Sequence, residues 1–286
     1  MVDSHASDLY LVSGEAPVAR IYGSLQRMTG ESVLSNDFVV EIAKSLFSVE
    51  QLATLELDKS LDFAIELGTV EEGGPWRLRG NVYQQKNGLN IVFRLIPSKV
   101  PTLEELGLPA SLRKLTKYHQ GLILCTGQAG CGKTATVAAL LDIINSRSPA
   151  HIITVEDPIE YIFKNKRALI NQRQVGRDVE SFALALKGAL REDPDIIFVG
   201  ELRDLETISL AITAAETGHL VFGTLHTNSA PKAVDRLIDA FPIDQQAQIR
   251  TMLSESLRGV IAQQLIPKAD GSGRVAAVEI LVNNGS

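Results

Sequence analysis

Short apolar runs bounded by turn residues recur through the second half of the chain, at 122–125, 152–155, 196–199 and 220–225. Each is too short for a buried helix and reads as a strand covered on both faces. Between them the spacing turns helical. Residues 135–144 follow the first run, and 178–191 set Val179, Phe182, Leu186 and Leu190 on one side. Residues 204–217 have Asp204 as N-cap and Gly218 as a stop, 229–241 carry Pro231 in the opening turn, and 244–264 form a last helix. A strand at 274–282 follows a turn at 270–273. This alternation predicts an α/β domain with a mainly parallel sheet between two helical layers.

The first hundred or so residues carry a different pattern. Strands are predicted at 8–12, 62–67, 76–84 and 90–96, a hairpin over 18–22 and 25–28, and a turn at 71–74. One helix, 36–47, shows Phe38, Ile42 and Leu46 at helical spacing, with Ser35 or Asn36 as its cap. This is a smaller α+β module. Pro97 and Pro101 favour an extended connection, and 103–118 reads as helix broken at Gly107 and Pro109. The predicted division is 1–97, a linker at 98–111, and 112–286.

One stretch specifies chemistry. Gly127-Gln128-Ala129-Gly130-Cys131-Gly132-Lys133-Thr134 follows an apolar strand and opens a helix, continuing into Ala135. That is the spacing of a nucleotide phosphate-binding loop, a P-loop. Glycines let successive backbone N–H groups converge on phosphate oxygens, and the helix N-terminus favours negative charge. Lys133 is expected to reach the β- and γ-phosphates of ATP, and the Thr134 hydroxyl to hold Mg²⁺.

Hydrolysis also needs a group that orients water and positive charge for the transition state. Glu201 follows a buried strand and could act on Mg²⁺, directly or through water, or on the attacking water. Glu156, Asp157 and Glu160 cluster after another strand, and either glutamate could serve as general base. His226 lies past the end of a strand that His219 opens, placed to meet a γ-phosphate or to serve structure alone. Arg79 and Arg94 lie on strands of the first module. They are surface arginines by default, or arginine fingers if a neighbouring subunit presents them to the nucleotide.

Composition narrows the class. The formal net charge of −6 argues against a general nucleic-acid binder and leaves room for a local basic patch. No apolar run is long enough to span a bilayer, and the N-terminus lacks signal-peptide features. The two cysteines, Cys125 and Cys131, are too few for a disulfide framework or a four-cysteine zinc site, so a reducing, cytoplasmic setting is expected. Cys131 reads as a small filler or as an oxidation-sensitive point.

Together these segments resemble the secretion-ATPase superfamily of type II secretion and type IV pilus motors, and within it the PilT-like pilus retraction ATPases. The resemblance rests on Ala6-Ser7-Asp8-Leu9, on Phe93-Arg94-Leu95-Ile96-Pro97-Ser98-Lys99 and on the phosphate loop. It continues through the aspartate box at 154–160, Arg191-Glu192-Asp193-Pro194-Asp195, the Walker B segment ending in Gly200-Glu201, and the histidine box from Thr217-Gly218-His219 to His226-Thr227. It implies a PAS-like N-terminal domain and a RecA-like ATPase domain in a hexameric ring at the inner membrane, with a platform protein and pilin as partners. It also implies Glu160 as base, Glu201 as Walker B acid, His226 near the γ-phosphate, and Arg79 and Arg94 as nucleotide-reaching arginines. Gln128-Ala129 and Cys131 depart from the family's usual proline-threonine and serine. Retraction members usually continue into C-terminal helices, which this chain, ending in Asn283-Asn284-Gly285-Ser286, does not include. It also has neither the four-cysteine zinc insert nor the extra N-terminal domains of assembly ATPases.

Overall fold

The computed structural model describes residues 4, 6–68, 76–97, 99–270 and 273–283. The turn read at 71–74 lies outside the described residues, as does part of the one at 270–273. The chain divides into two compact units, Met1–Ser98 and Lys99–Ser286.

The first unit contains β1 Ala6–Val12, β2 Val18–Ile21, β3 Ser24–Arg27, α1 Asn36–Leu46, α2 Val49–Asp58, β4 Ser60–Leu67, β5 Trp76–Gln85 and β6 Gly88–Ile96. The strands form an antiparallel sheet in the order β3-β2-β1-β6-β5-β4. Alternation directs Leu78, Val82, Ile91 and Phe93 onto Val39, Ala43 and Phe47 of the α1 region and Leu55 of α2. The Phe47, Phe63 and Phe93 rings stack edge to face within that core. Ser35 caps α1 by accepting from the Phe38 N–H. Helix α2 escapes the periodicity because Val49 and Leu57 point outward, leaving no clean apolar stripe. Its local signal is a capping box: Ser48 Oγ accepts from the Gln51 N–H at 3.3 Å, and Gln51 Oε1 from the Ser48 N–H at 3.0 Å.

The second unit contains β7 Gly121–Thr126, α3 Lys133–Arg147, β8 His151–Glu156, β9 Leu169–Gln174, α4 Phe182–Ala189, β10 Ile196–Val199, α5 Leu205–Glu216, β11 Leu220–Leu225, α6 Ala230–Asp239, α7 Ile243–Ser256, β12 Leu257–Pro267 and β13 Arg274–Val282. The sheet order is β13-β12-β7-β11-β10-β8-β9, parallel throughout except where β13 pairs antiparallel with β12. Alternate residues of the central strands feed two cores. Leu122, Leu124, Ile153, Ile197 and Val221 pack with α4, α5, α6 and α7. Ile123, Cys125, Ile152, Phe198 and Phe222 pack with α3 and the segment before β7.

Several expected boundaries move. Residues 244–264 are not one helix: α7 stops at Ser256 and the chain continues as β12. Val260 and Ile261 suit a strand better than a helix, and β12 fills the place beside β7 in the sheet. The helix read over 178–191 shortens to α4, because Asp178 Oδ2 accepts from the Gln174 N–H and closes a turn, and Ser181 becomes the N-cap. Strand β9 was not foreseen. It is a polar edge strand, Leu169-Ile170-Asn171-Gln172-Arg173-Gln174, with no apolar alternation to announce it. In the 103–118 segment, residues 110–117 form a 3₁₀ helix, and Leu103 and Leu108, read within the linker, are buried in the second unit's core.

Candidate active site

Strands β7, β11, β10 and β8 are parallel neighbours, so their C-terminal ends share one edge of the sheet. That edge is where ligands bind in open α/β folds. Four loops leave it: the glycine loop after β7, Asp157 to Glu160 after β8, Gly200-Glu201 after β10, and His226-Thr227 after β11. Thr126 Oγ1 lies 2.7 Å from Thr227 Oγ1 and ties the first loop to the last. The Thr224 hydroxyl donates to the Gly200 carbonyl and fixes the third.

The glycine loop needs its glycines. Gly127, Gly130 and Gly132 have φ of 149°, 74° and 88°, in the region that favours glycine. A Cβ on Gly127 would lie 2.3 Å from the Gln263 carbonyl oxygen and 2.5 Å from Cys131 Sγ, so no side chain fits there. Helix α3 starts at Lys133 with Gly132 as N-cap and no side-chain cap, leaving its first N–H groups to an external acceptor. Lys133 is almost fully buried, and its Nζ donates to the carbonyls of Gly127 at 2.8 Å and Gln128 at 3.1 Å. Gln128, Ala129 and Gly130 are exposed, Cys131 is buried, and Thr134 and Ala135 are half-buried. Burial pushes the Cys125 thiol up to about 12, so it stays protonated.

A cavity of about 50 Å³, the scale of a few waters or a cation, is lined by Thr134, Glu156, Glu160 and Glu201 among others. The structure thus brings Thr134, Glu156, Glu160 and Glu201 around one cavity, with His226 joined to it through Glu201 and Lys133 next to Thr134 in the loop. Glu201 Oε2 lies 2.7 Å from Arg203 Nη2, and its Oε1 lies 3.0 Å from His226 Nε2. Burial raises the Glu201 carboxyl, but Arg203 and His226 outweigh it and hold the group below its ordinary value. Arg203 was not among the residues read from sequence. It gave no signal of its own, because 201–203 lie past the end of β10 and only the ion pair with Glu201 marks it.

The acids after β8 differ in environment. Glu160 is exposed and makes no salt bridge among the described residues. Glu156 is buried and accepts from Thr154 Oγ1 at 2.6 Å and Gln172 Nε2 at 3.2 Å. Burial pushes Glu156 up to about 7, against those hydrogen bonds. A carboxyl raised from 4.5 to about 7 on folding stabilises the fold fully below pH 4.5, and that stability is lost as pH rises through 7. Glu156→Gln is therefore expected to flatten the dependence of unfolding free energy on pH between 4.5 and 7, measured by urea titration. An unchanged slope would mean that Glu156 ionises normally.

Arg79 and Arg94 belong to the first unit, where they stand directly opposite each other on β5 and β6. Arg94 Nε donates to Asp8 Oδ1 at 2.8 Å, and Arg20 Nε lies 3.8 Å from Asp8 Oδ2. Asp8 is only 3 % exposed.

No cluster of His, Cys, Asp and Glu among the described residues could hold a metal by itself. The donor set at the cavity, a threonine hydroxyl and carboxylates, fits Mg²⁺, which takes few protein oxygens and completes its shell with phosphate and water.

The family model described as "Type II/IV secretion system protein" matches residues 62–284. The type IV pilus retraction ATPase PilT of Pseudomonas aeruginosa is 48% identical over 277 residues, covering 97% of this chain and 78% of that protein. A crystal structure of the pilus retraction motor PilT with bound ADP superposes with a TM-score of 0.87 at 45% identity, covering 99% of this chain and 81% of that one. The structure of the Legionella pneumophila ATPase DotB gives a TM-score of 0.91 at 31% identity, covering 99% and 78%.

Proposed function

The chain belongs to the type II/IV secretion system protein family, and on that premise we propose that it is a ring-forming ATPase motor that hydrolyses ATP to drive type IV pilus retraction. The observation that carries this is the cavity at the sheet edge, where Thr134, Glu160 and Glu201 converge beside a P-loop whose Lys133 is fixed in place. The similarity to a retraction ATPase along nearly the whole chain supports the pilus assignment. The family description, which names type II/IV secretion, supports one second reading, a secretion ATPase of the same family working on another substrate.

In the proposed cycle Lys133 grips the β- and γ-phosphates, and the N–H groups at the start of α3 hold the remaining oxygens. Thr134 and Glu201 hold Mg²⁺, which when bound neutralises charge developing on the phosphate oxygens. Glu160 accepts a proton from the attacking water. His226, hydrogen-bonded to Glu201, senses the γ-phosphate, so ATP and ADP differ in how they pull on β10 and β11. Arg79 and Arg94 of a neighbouring subunit complete the charge stabilisation. We read residues 1–97 as a PAS-like domain, 98–111 as the linker, and 112–286 as the RecA-like domain, assembled as a hexamer. Its partners are pilin and an inner-membrane platform protein. We place it peripherally at the cytoplasmic side of that membrane, beside these partners; no helix among the described residues is long and apolar enough to cross a membrane.

The test is Mg²⁺-dependent ATP hydrolysis against protein concentration, with Glu160→Gln as control. Specific activity is expected to rise cooperatively with concentration, and the variant to lose about a hundredfold or more in kcat while still binding nucleotide. Activity independent of concentration would remove the ring; no activity above the variant would leave a nucleotide-binding accessory subunit. Restoration of twitching in a retraction-deficient pilus strain would decide between the pilus and secretion readings.

A further inference from the structure

Along β12 the residues on the α3 side are Gly259, Ile261 and Gln263. The last continues an apolar series with a polar side chain that is only 4 % exposed. A buried amide must have its hydrogen bonds made, and here both ends are used. Gln263 Nε2 donates to the Cys131 carbonyl at 2.6 Å, and Gln263 Oε1 accepts from Thr136 Oγ1 at 2.7 Å. The main chain of Gln263 is equally close: its carbonyl oxygen occupies the space a Cβ on Gly127 would need. A Cβ on Gly132 would lie 2.8 Å from the Gln263 amide nitrogen. One residue of β12 therefore touches the loop at its start, near its end and in the first turn of the helix behind it.

We infer that Gln263 is a positioning residue for the nucleotide phosphates, acting through the Cys131–Gly132 peptide. A trans peptide points its C=O and N–H in opposite directions. Drawing the Cys131 carbonyl toward β12 therefore turns the Gly132 N–H away from it, and no other backbone group of the loop takes that N–H. The donor is left aimed at a phosphate oxygen before the nucleotide arrives. Glycine at 132 makes this peptide easy to flip, so the orientation needs an external hold. The amide supplies it, and Thr136 fixes the amide's own orientation by donating to its oxygen. This role rests on the nucleotide-site reading above and adds a residue to it.

The test compares Gln263→Met, which fills the space without a donor, with Gln263→Glu, which sets a carboxylate oxygen against the Cys131 carbonyl. Binding of mant-ADP with Mg²⁺ to the full chain is expected to weaken about tenfold in the first, roughly 1.4 kcal/mol, and further in the second. KM for ATP should rise in parallel while kcat changes little. Thr136→Ser should bind like wild type and Thr136→Val should weaken binding, which keeps the idea testable if Gln263→Glu does not fold. Wild-type affinity and KM in Gln263→Met, with only a lower melting temperature, would make Gln263 an ordinary core residue and overturn the inference alone. Failure of the wild-type chain to bind mant-ADP would overturn it together with the nucleotide-site reading.

Discussion

Alanine at Arg94 is expected to reduce kcat by roughly 10³-fold or more, the scale of losing an arginine finger. The physical reason starts in the first unit's sheet. Like charges directly opposite on adjacent strands are destabilising, yet Arg79 and Arg94 occupy such a pair. Asp8 pairs with Arg94, and Arg79 stands beside it on the next strand. A γ-phosphate, whose charge spreads over its outer oxygens during transfer, is the anion that two adjacent guanidinium groups would fit. The readout is steady-state ATP turnover, with a thermal melt to show that loss of the Asp8 partner has not unfolded the unit. Because the arginines are proposed to act on a neighbour's nucleotide, mixing Arg94→Ala with Lys133→Ala protein should recover part of the activity. Mixed rings contain sites with both an intact lysine and an intact arginine. Near-normal turnover by Arg94→Ala would remove the finger, and absence of recovery on mixing would remove its action across subunits.

The second large effect belongs to Lys133. Its ammonium is nearly buried and already oriented by two loop carbonyls. Two charge-assisted hydrogen bonds to phosphate, about 1.5–3 kcal/mol each, amount to about 3–6 kcal/mol, or roughly 10²–10⁴ in kcat/KM. Lys133→Ala should therefore abolish measurable hydrolysis and weaken Mg²⁺-nucleotide binding in calorimetry. Lys133→Arg is expected to rescue little, since a planar guanidinium is too wide for so enclosed a slot. Retention of kcat/KM within tenfold in Lys133→Ala would sink the P-loop assignment.

What could be read in advance divides by distance along the chain. The phosphate loop is legible because glycines, lysine and threonine act through their own backbone and nearest neighbours, and the strand and helix flanking it follow from local periodicity. The capping box of Ser48 and Gln51 carried α2 just as locally, although the outward Val49 and Leu57 hid the helix. Strand β12 was hidden because α7 runs straight into it and the apolar pattern does not break. Only the place beside β7 makes those residues a strand. The choice between Glu156 and Glu160 stayed open in sequence because burial separates them, and burial comes from β9 and Gln172 packing over one and not the other. Arg203 is two residues from Glu201, but its value lies in the ion pair, which spacing does not announce.

The hold of β12 on the phosphate loop also has a consequence during synthesis. Gln263 lies 132 residues after Cys131. At about 5–20 residues per second, a ribosome spends roughly 7–26 s between making the loop and making the residue that shapes it. Through that interval the nascent chain carries the nucleotide motif without its scaffold. The full grip on ATP is therefore expected only once β12 has been made and has taken its place beside β7, so chains that stop short of it should bind nucleotide more weakly.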